Sequence, residues 1–156
     1  MTTAEAGVHE SSIYRRWGTR ENLMVEALLE DAAELAPIPD TGSVRDDLII
    51  YITQLVAFLN SDIGDTLDRS LASGGDDPPT RQVRDHYWLT RFRQSTQIIQ
   101  RAISRGELPE YADPRRAIEM LVGPLHMKVL LTREPLDPAL PEQLVDTLLH
   151  GLMPRP

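Results

Sequence analysis

The stretch behind Asp113-Pro114 constrains the fold most, because its apolar residues leave almost no polar face. Ile118, Met120, Leu121, Val122, Leu125, Met127, Val129, Leu130 and Leu131 go round most of a helical cylinder. Asp-Pro is a strong start signal: the carboxylate accepts from a first-turn N–H, and proline's fixed φ suits the first helical position. Gly123-Pro124 in the middle predicts a kink, since proline removes a ladder hydrogen bond. A helix apolar nearly all round must be covered on both sides. In a chain of 156 residues one cover is its own core, and the other can be a second copy. The last helix, opening between Pro138 and Pro141, carries Leu144, Val145, Leu148, Leu149 and Leu152 on a broad face. These two helices are therefore the candidate twofold interface of a homodimer, two from each chain forming a four-helix bundle. Leu121, Leu125, Val129, Leu144, Leu148 and Leu149 are its candidate residues.

Upstream the signals are also helical, and strand alternation is not sustained anywhere. Thr19-Arg20-Glu21-Asn22 opens a helix over roughly 19–35 with Leu23, Ala27, Leu28 and Leu35 at helical spacing, closed by Pro37 and Pro39. Ser43 followed by Asp46 starts another, to about Asn60. Its buried face is Val44, Leu48, Tyr51, Ile52, Leu55, Val56 and Leu59. A short helix over about 62–71 ends in the loop Ser73-Gly74-Gly75-Asp76-Asp77. The longest pattern runs from Pro78 through Val83, Tyr87, Trp88, Phe92, Ile98, Ile99, Ala102 and Ile103 to Gly106 and Pro109. Its interspersed arginines are most simply a solvated face whose stems lie over the core. The fold class is all-α.

Composition narrows the function classes. A hydrophobic content of 41% with 26% charged residues is that of a globular protein. A net charge of -8 argues against coating nucleic acid along the whole surface, but leaves room for a small basic head on an acidic body. Without cysteine there is no disulfide, thiolate site or thiol nucleophile, which fits a reducing cytoplasm. No export signal opens the chain, and no apolar run approaches the ~18 residues of a membrane span, so no membrane partner is expected. Nucleophile elbow, paired-His helix, phosphate loop and dinucleotide fingerprint are all missing, so neither catalysis nor a cofactor is expected. His9, His86, His126 and His150 lie on different predicted helices. His126, in the mostly apolar helix, reads more simply as a satisfied core or interface histidine than as a metal ligand.

The start of the chain carries the most specific pattern. Ala4-Glu5-Ala6-Gly7-Val8 reads as a helix end and a tight glycine turn. His9-Glu10-Ser11-Ser12-Ile13-Tyr14-Arg15-Arg16-Trp17 reads as a short helix with apolar residues at 13 and 17. A glycine between two short helices suits a helix-turn-helix, whose second helix enters the major groove. Ala-Gly-Val, the polar stretch, Ile-Tyr-Arg-Arg-Trp and Thr-Arg-Glu-Asn-Leu together resemble the helix-turn-helix signature of the tetracycline-repressor (TetR) family. Arg105-Gly106-Glu107-Leu108, Asp113-Pro114, Leu121-Val122-Gly123-Pro124-Leu125 and Glu134-Pro135-Leu136-Asp137 resemble the carboxy-terminal regulatory domain of one branch of it.

The resemblance implies a ligand-responsive, DNA-binding transcriptional regulator, more commonly a repressor. Residues 1–36 would form the DNA-reading head, and residues 37–156 the effector-binding and dimerisation domain. His9 and Ser11 would face base edges, with Glu10 and Ser12 beside them. Tyr14, Arg15 and Arg16 would reach phosphates or neighbouring bases, and Arg20 would hold the backbone of operator DNA. Each has a plainer alternative: the arginines as solvated residues, Tyr14 as packing, and Glu10 as a group rejecting other sequences instead of reading cytosine. Family members carry a further helix ahead of the Ala-Gly-Val turn, so the head is expected to lack its first helix. The competing expectation is a DNA-incompetent dimeric module that binds a small molecule or protein.

The resemblance also implies an effector pocket among the central helices. Phe58, Leu59, Leu67, Leu71, Tyr87, Trp88, Phe92, Met120, Pro124 and Met127 are its predicted lining, as apolar walls with few polar groups suit such sites. The same residues at helical spacing are more often plain core.

Overall fold

The computed structural model describes residues 37–73, 75 and 77–152, together with Leu23 and Ala27 as two helical positions upstream. The DNA-reading residues His9 to Arg20 lie outside them. From residue 37 on, the described residues form five α-helices: α1 Val44–Leu59, α2 Asp62–Ser73, α3 Pro78–Ser104, α4 Pro114–His126 and α5 Leu140–His150. A π-helical turn, Met127–Thr132, extends α4. No strand occurs among the described residues.

Three starts are those the sequence signals. Ser43 accepts from the Asp46 N–H at 3.3 Å, Asp77 from Thr80 at 3.1 Å and Asp113 from Arg116 at 3.1 Å. Each capping side chain satisfies an N–H that the first turn leaves without a partner. The core forms where α1, α3, α4 and α5 meet, with Leu48, Ile52, Ile98, Ile99, Ile118, Leu121, Leu125 and Val145 essentially sealed from water. Burying each of these side chains contributes about 1.5–3 kcal/mol before entropy is counted.

α3 runs back along α1, and the end where α3 finishes is tied by polar bonds. Gly106 at φ +76° closes α3 with the paired bonds Gly106 N–H to Ile103 O and Glu107 N–H to Ala102 O. That turn presents Glu107 to the first residue of α1, whose Val44 N–H donates to Oε2 at 2.7 Å. Asp47, fully buried, accepts from the Thr41 N–H at 2.6 Å and its hydroxyl at 2.8 Å, while Arg105 stands 3.7 Å from its other oxygen. Arg101 donates to the Pro39 carbonyl, and Arg45 pairs with Asp146 on α5 at 2.8 Å.

The outward side of α4 differs from the expected one. Leu121, Leu125 and Val129 do not face outward: they are consumed in the protomer's own core, so they cannot also meet a second copy. The outward side is instead Met120, Gly123, Met127 and Leu131, with Met120 59%, Met127 53% and Leu131 77% exposed. The polypeptide also stays helical through Pro124. The Met120 carbonyl loses the N–H a non-proline would supply, and three residues later the helix widens to π geometry before ending at Arg133 in the left-handed region, φ 54°. Leu144, Leu148 and Leu149 on α5 are half-buried against the core.

Candidate functional site

The opposite end of the helices is built around a tight corner. Ser61 donates its hydroxyl to the Phe58 carbonyl at 2.6 Å and accepts from the Gly64 N–H at 3.1 Å, turning the chain from α1 into α2. A Cβ on Gly64 would stand 1.9 Å from the Phe58 carbonyl oxygen, so only glycine lets α2 lie this close. The corner aims Leu67, Asp68 and Leu71 inward. Leu67 and Leu71 pack with Phe58, Val83 and Tyr87 as a satellite to the main core.

α3 supplies an aromatic wall. Tyr87 meets Trp88 edge-on at 5.2 Å, and Trp88 lies 6.0 Å from Phe92. Arg115 caps the Phe92 ring at 3.4 Å, a cation–π contact. Burial pushes the Tyr87 phenol above its ordinary range. Ser95 is nearly sealed from water, and its hydroxyl is satisfied by the Arg91 carbonyl at 2.9 Å.

α4 contributes the polar centre. His126 Nδ1 stands 2.9 Å from the Asp68 carboxylate, with side-chain exposures of only 17% and 5%. The imidazole also meets Trp88 edge-on at 5.2 Å. A carboxylate can only accept, so in the neutral ring the proton sits on Nδ1 and the lone pair on Nε2.

Two spaces adjoin this pair. The inner one, about 20 Å³, has room for about one water. Tyr51, Leu55, Phe58, Leu59, Leu67, Tyr87, Arg91, Ser95 and Ile118 bound it, with five more residues described next. The outer one is a groove of about 360 Å³ on whose far side lie Leu71, Ala72, Glu119, Gly123 and Leu130. Asp68, Trp88, Phe92, Val122 and His126 line both spaces, and so form the partition between them.

Six of the predicted lining residues, Phe58, Leu59, Leu67, Tyr87, Trp88 and Phe92, come together around the inner space, and Leu71 lines the groove. Met120, Pro124 and Met127 line neither. Met120 and Met127 project from the outward side of α4, so the expectation that they line the pocket is corrected. Sequence reasoning missed Asp68 and the role of His126. The available signal was an acid set between Leu67 and Leu71 on the buried face of α2, which demanded a partner. Among the described residues, no three His, Cys, Asp or Glu side chains gather where a metal ion could be held. No helix among them is long and apolar enough to cross a membrane.

Helices enclosing a largely apolar space around one buried polar pair define the class: an all-helical regulatory body. Residues 38–148 match the family of tetracyclin repressor-like C-terminal domains, and the chain belongs to the tetracycline-repressor family of helix-turn-helix transcriptional regulators. It is 37% identical over 147 residues to the HTH-type transcriptional regulator AqdR of Rhodococcus erythropolis, covering 94% of this chain and 71% of that protein. It is 26% identical over 148 residues to the uncharacterized HTH-type transcriptional regulator YdeS of Bacillus subtilis, covering 94% and 75%. The fold matches the crystal structure of the TetR family transcription regulator SCO0332 with a TM-score of 0.84 at 24% identity, covering 95% of this chain and 82% of that one.

Proposed function

We propose that this protein is a cytoplasmic homodimeric repressor whose helical body takes up a small, mostly apolar effector through the groove between α2, α3 and α4. The observation that carries this reading is the groove itself: about 360 Å³ of largely apolar space opening onto the buried Asp68–His126 pair. That volume lies in the range of small-molecule sites, whose walls are apolar and whose few polar groups fix orientation. The reading is of a binding site: Ser95, a hydroxyl in the lining of the inner space, is bonded back to its own helix and not toward the dyad.

The dimer would form on the outward side of α4, through Met120, Met127 and Leu131, with the uncovered sides of Leu144, Leu148 and Leu149 on α5. Contiguous exposed apolar residues on a helix are costly in a monomer and support such a contact. Operator contacts would come from His9, Glu10, Ser11, Ser12, Tyr14, Arg15, Arg16 and Arg20, through phosphates and base edges.

Anisotropy titration of labelled DNA from the gene's own upstream region, at one moderate salt concentration, tests the regulator reading against scrambled DNA of equal length. Preference for the native fragment is expected; equal affinity would favour a DNA-incompetent binding module. In sedimentation, the double variant Met127→Asp, Leu131→Asp should shift a dimer to monomer with its helical content intact. A variant that stays dimeric would move the interface elsewhere.

A further inference from the structure

We infer that the Asp68-held His126 is the polar anchor of the groove, and that it selects neutral, flat effectors bearing one hydroxyl or ring N–H donor. This rests on the groove being the effector site. Asp68 fixes the ring: with Nδ1–H donated at 2.9 Å to the carboxylate, the neutral imidazole offers Nε2 on its opposite edge as an acceptor. Among the described residues Asp68 is the hydrogen-bond partner of His126, and the histidine lines both the groove and the inner space. A donor on the ligand would therefore complete a relay from ligand to His126 to Asp68. A ligand lacking the donor would cover Nε2 and leave it unsatisfied in apolar surroundings.

The remaining lining sets shape and charge. Trp88 and Phe92 put aromatic surface on the groove, with Arg115 covering one face of Phe92, and Leu71, Ala72, Val122 and Leu130 close the apolar sides. The charged groups on the groove are Asp68 and Glu119, with no arginine or lysine in its lining. A carboxylate ligand would lose hydration and meet like charge there, so anions are disfavoured. A cation would find Glu119 already paired with Arg115, and the Asp68 carboxylate already engaged by His126 Nδ1, 2.9 Å from both its oxygens.

Equilibrium dialysis at pH 8 tests this with four naphthalene probes sharing one ring: 2-naphthol, 2-methoxynaphthalene, 2-naphthoate and 2-naphthylmethylamine. On the wild-type chain 2-naphthol should bind about tenfold more tightly than 2-methoxynaphthalene, the factor that about one neutral hydrogen bond provides. Naphthoate should bind more weakly than either. His126→Phe should reduce the naphthol-to-methoxynaphthalene ratio to about one while still binding both. Asp68→Asn, of nearly the same shape, should lower the ratio, because an amide can also donate to Nδ1 and so admits the tautomer with its proton on Nε2. Ala72→Phe, at the exposed edge of the groove, should weaken all probes without unfolding the chain.

Equal binding of naphthol and methoxynaphthalene by the wild type, with both weakened by Ala72→Phe, overturns the anchor and leaves the effector site standing. Tighter binding of the amine than of naphthol overturns it in favour of direct pairing with Asp68 or Glu119. If no probe binds, or Ala72→Phe changes nothing, the effector-site reading falls and the anchor with it.

Discussion

The two ends of the helical body are held by opposite means. Where α3 finishes and α1 begins, Glu107, Asp47, Thr41, Arg105 and Arg101 bond across elements, and the chain segment before α1 is stitched to α3. Where α2, the first half of α3 and the end of α4 meet, aromatic side chains surround incompletely filled space, and one buried polar pair stands in for a network. Close-packed regions cross-linked by hydrogen bonds resist change, whereas voids forfeit packing contacts that a ligand can supply. The difference assigns anchoring to the first end and sensing to the second.

The largest expected effect breaks the anchored end. Asp47→Ala would leave the Thr41 N–H and hydroxyl without their charged acceptor, and should cost about 3 kcal/mol in urea unfolding. Probe affinity in the surviving folded fraction should stay at the wild-type value, because the groove lies at the other end. At the sensing end, Gly64→Ala drives a Cβ into the Phe58 backbone, which cannot rotate away. A loss of about 2 kcal/mol is expected, together with weaker 2-naphthol binding as α2 lifts from α1. If both variants weakened the probe equally, the two ends would not be separable.

Gly106→Ala sharpens the comparison more gently. It strains a φ of +76° in open space, so about 1 kcal/mol should be lost with no steric component. The smallest effect is on pH dependence. The Val44 N–H first, and Arg105 second, hold the Glu107 carboxyl below its ordinary range. A carboxylate lowered on folding adds stability that is present above its unfolded pKa and lost as pH falls through the folded value. Stability should therefore decline below about pH 4, and Glu107→Gln should make that decline shallower. Tyr87, raised by burial, acts oppositely: its contribution is complete below its ordinary pKa and lost as pH rises through the folded one. Tyr87→Phe should flatten the alkaline limb in the same chemical or thermal melts.

Much of the fold is legible in residues that act locally. Ser43, Asp77 and Asp113 cap helices because an N-cap needs only a side-chain acceptor and the N–H groups just behind it. The face of α1 is legible because its apolar residues occupy one side of the cylinder. α4 is not legible in this way, since a helix apolar all round has no phase to say which side points in. Leu121 and Leu125, expected at the interface, are therefore core, and Met120 and Met127, expected in the pocket lining, are exposed. The site is harder still. Asp68 and His126 are 58 residues apart, and only the close corner at Gly64 brings α2 to α4's end. Glu107 reaches Val44 across 63 residues through a glycine turn, a pairing no local pattern encodes.

Amide hydrogen exchange with and without 2-naphthol tests the central division most directly, because it reports local stability residue by residue. The account predicts slow exchange in the first turns of α1 and the last turns of α3 in both conditions. It also predicts faster exchange in α2 and in the Met127–Thr132 turn, slowed when 2-naphthol is added. Uniform exchange across the body, or protection by 2-naphthol at the α1–α3 end instead, would contradict it.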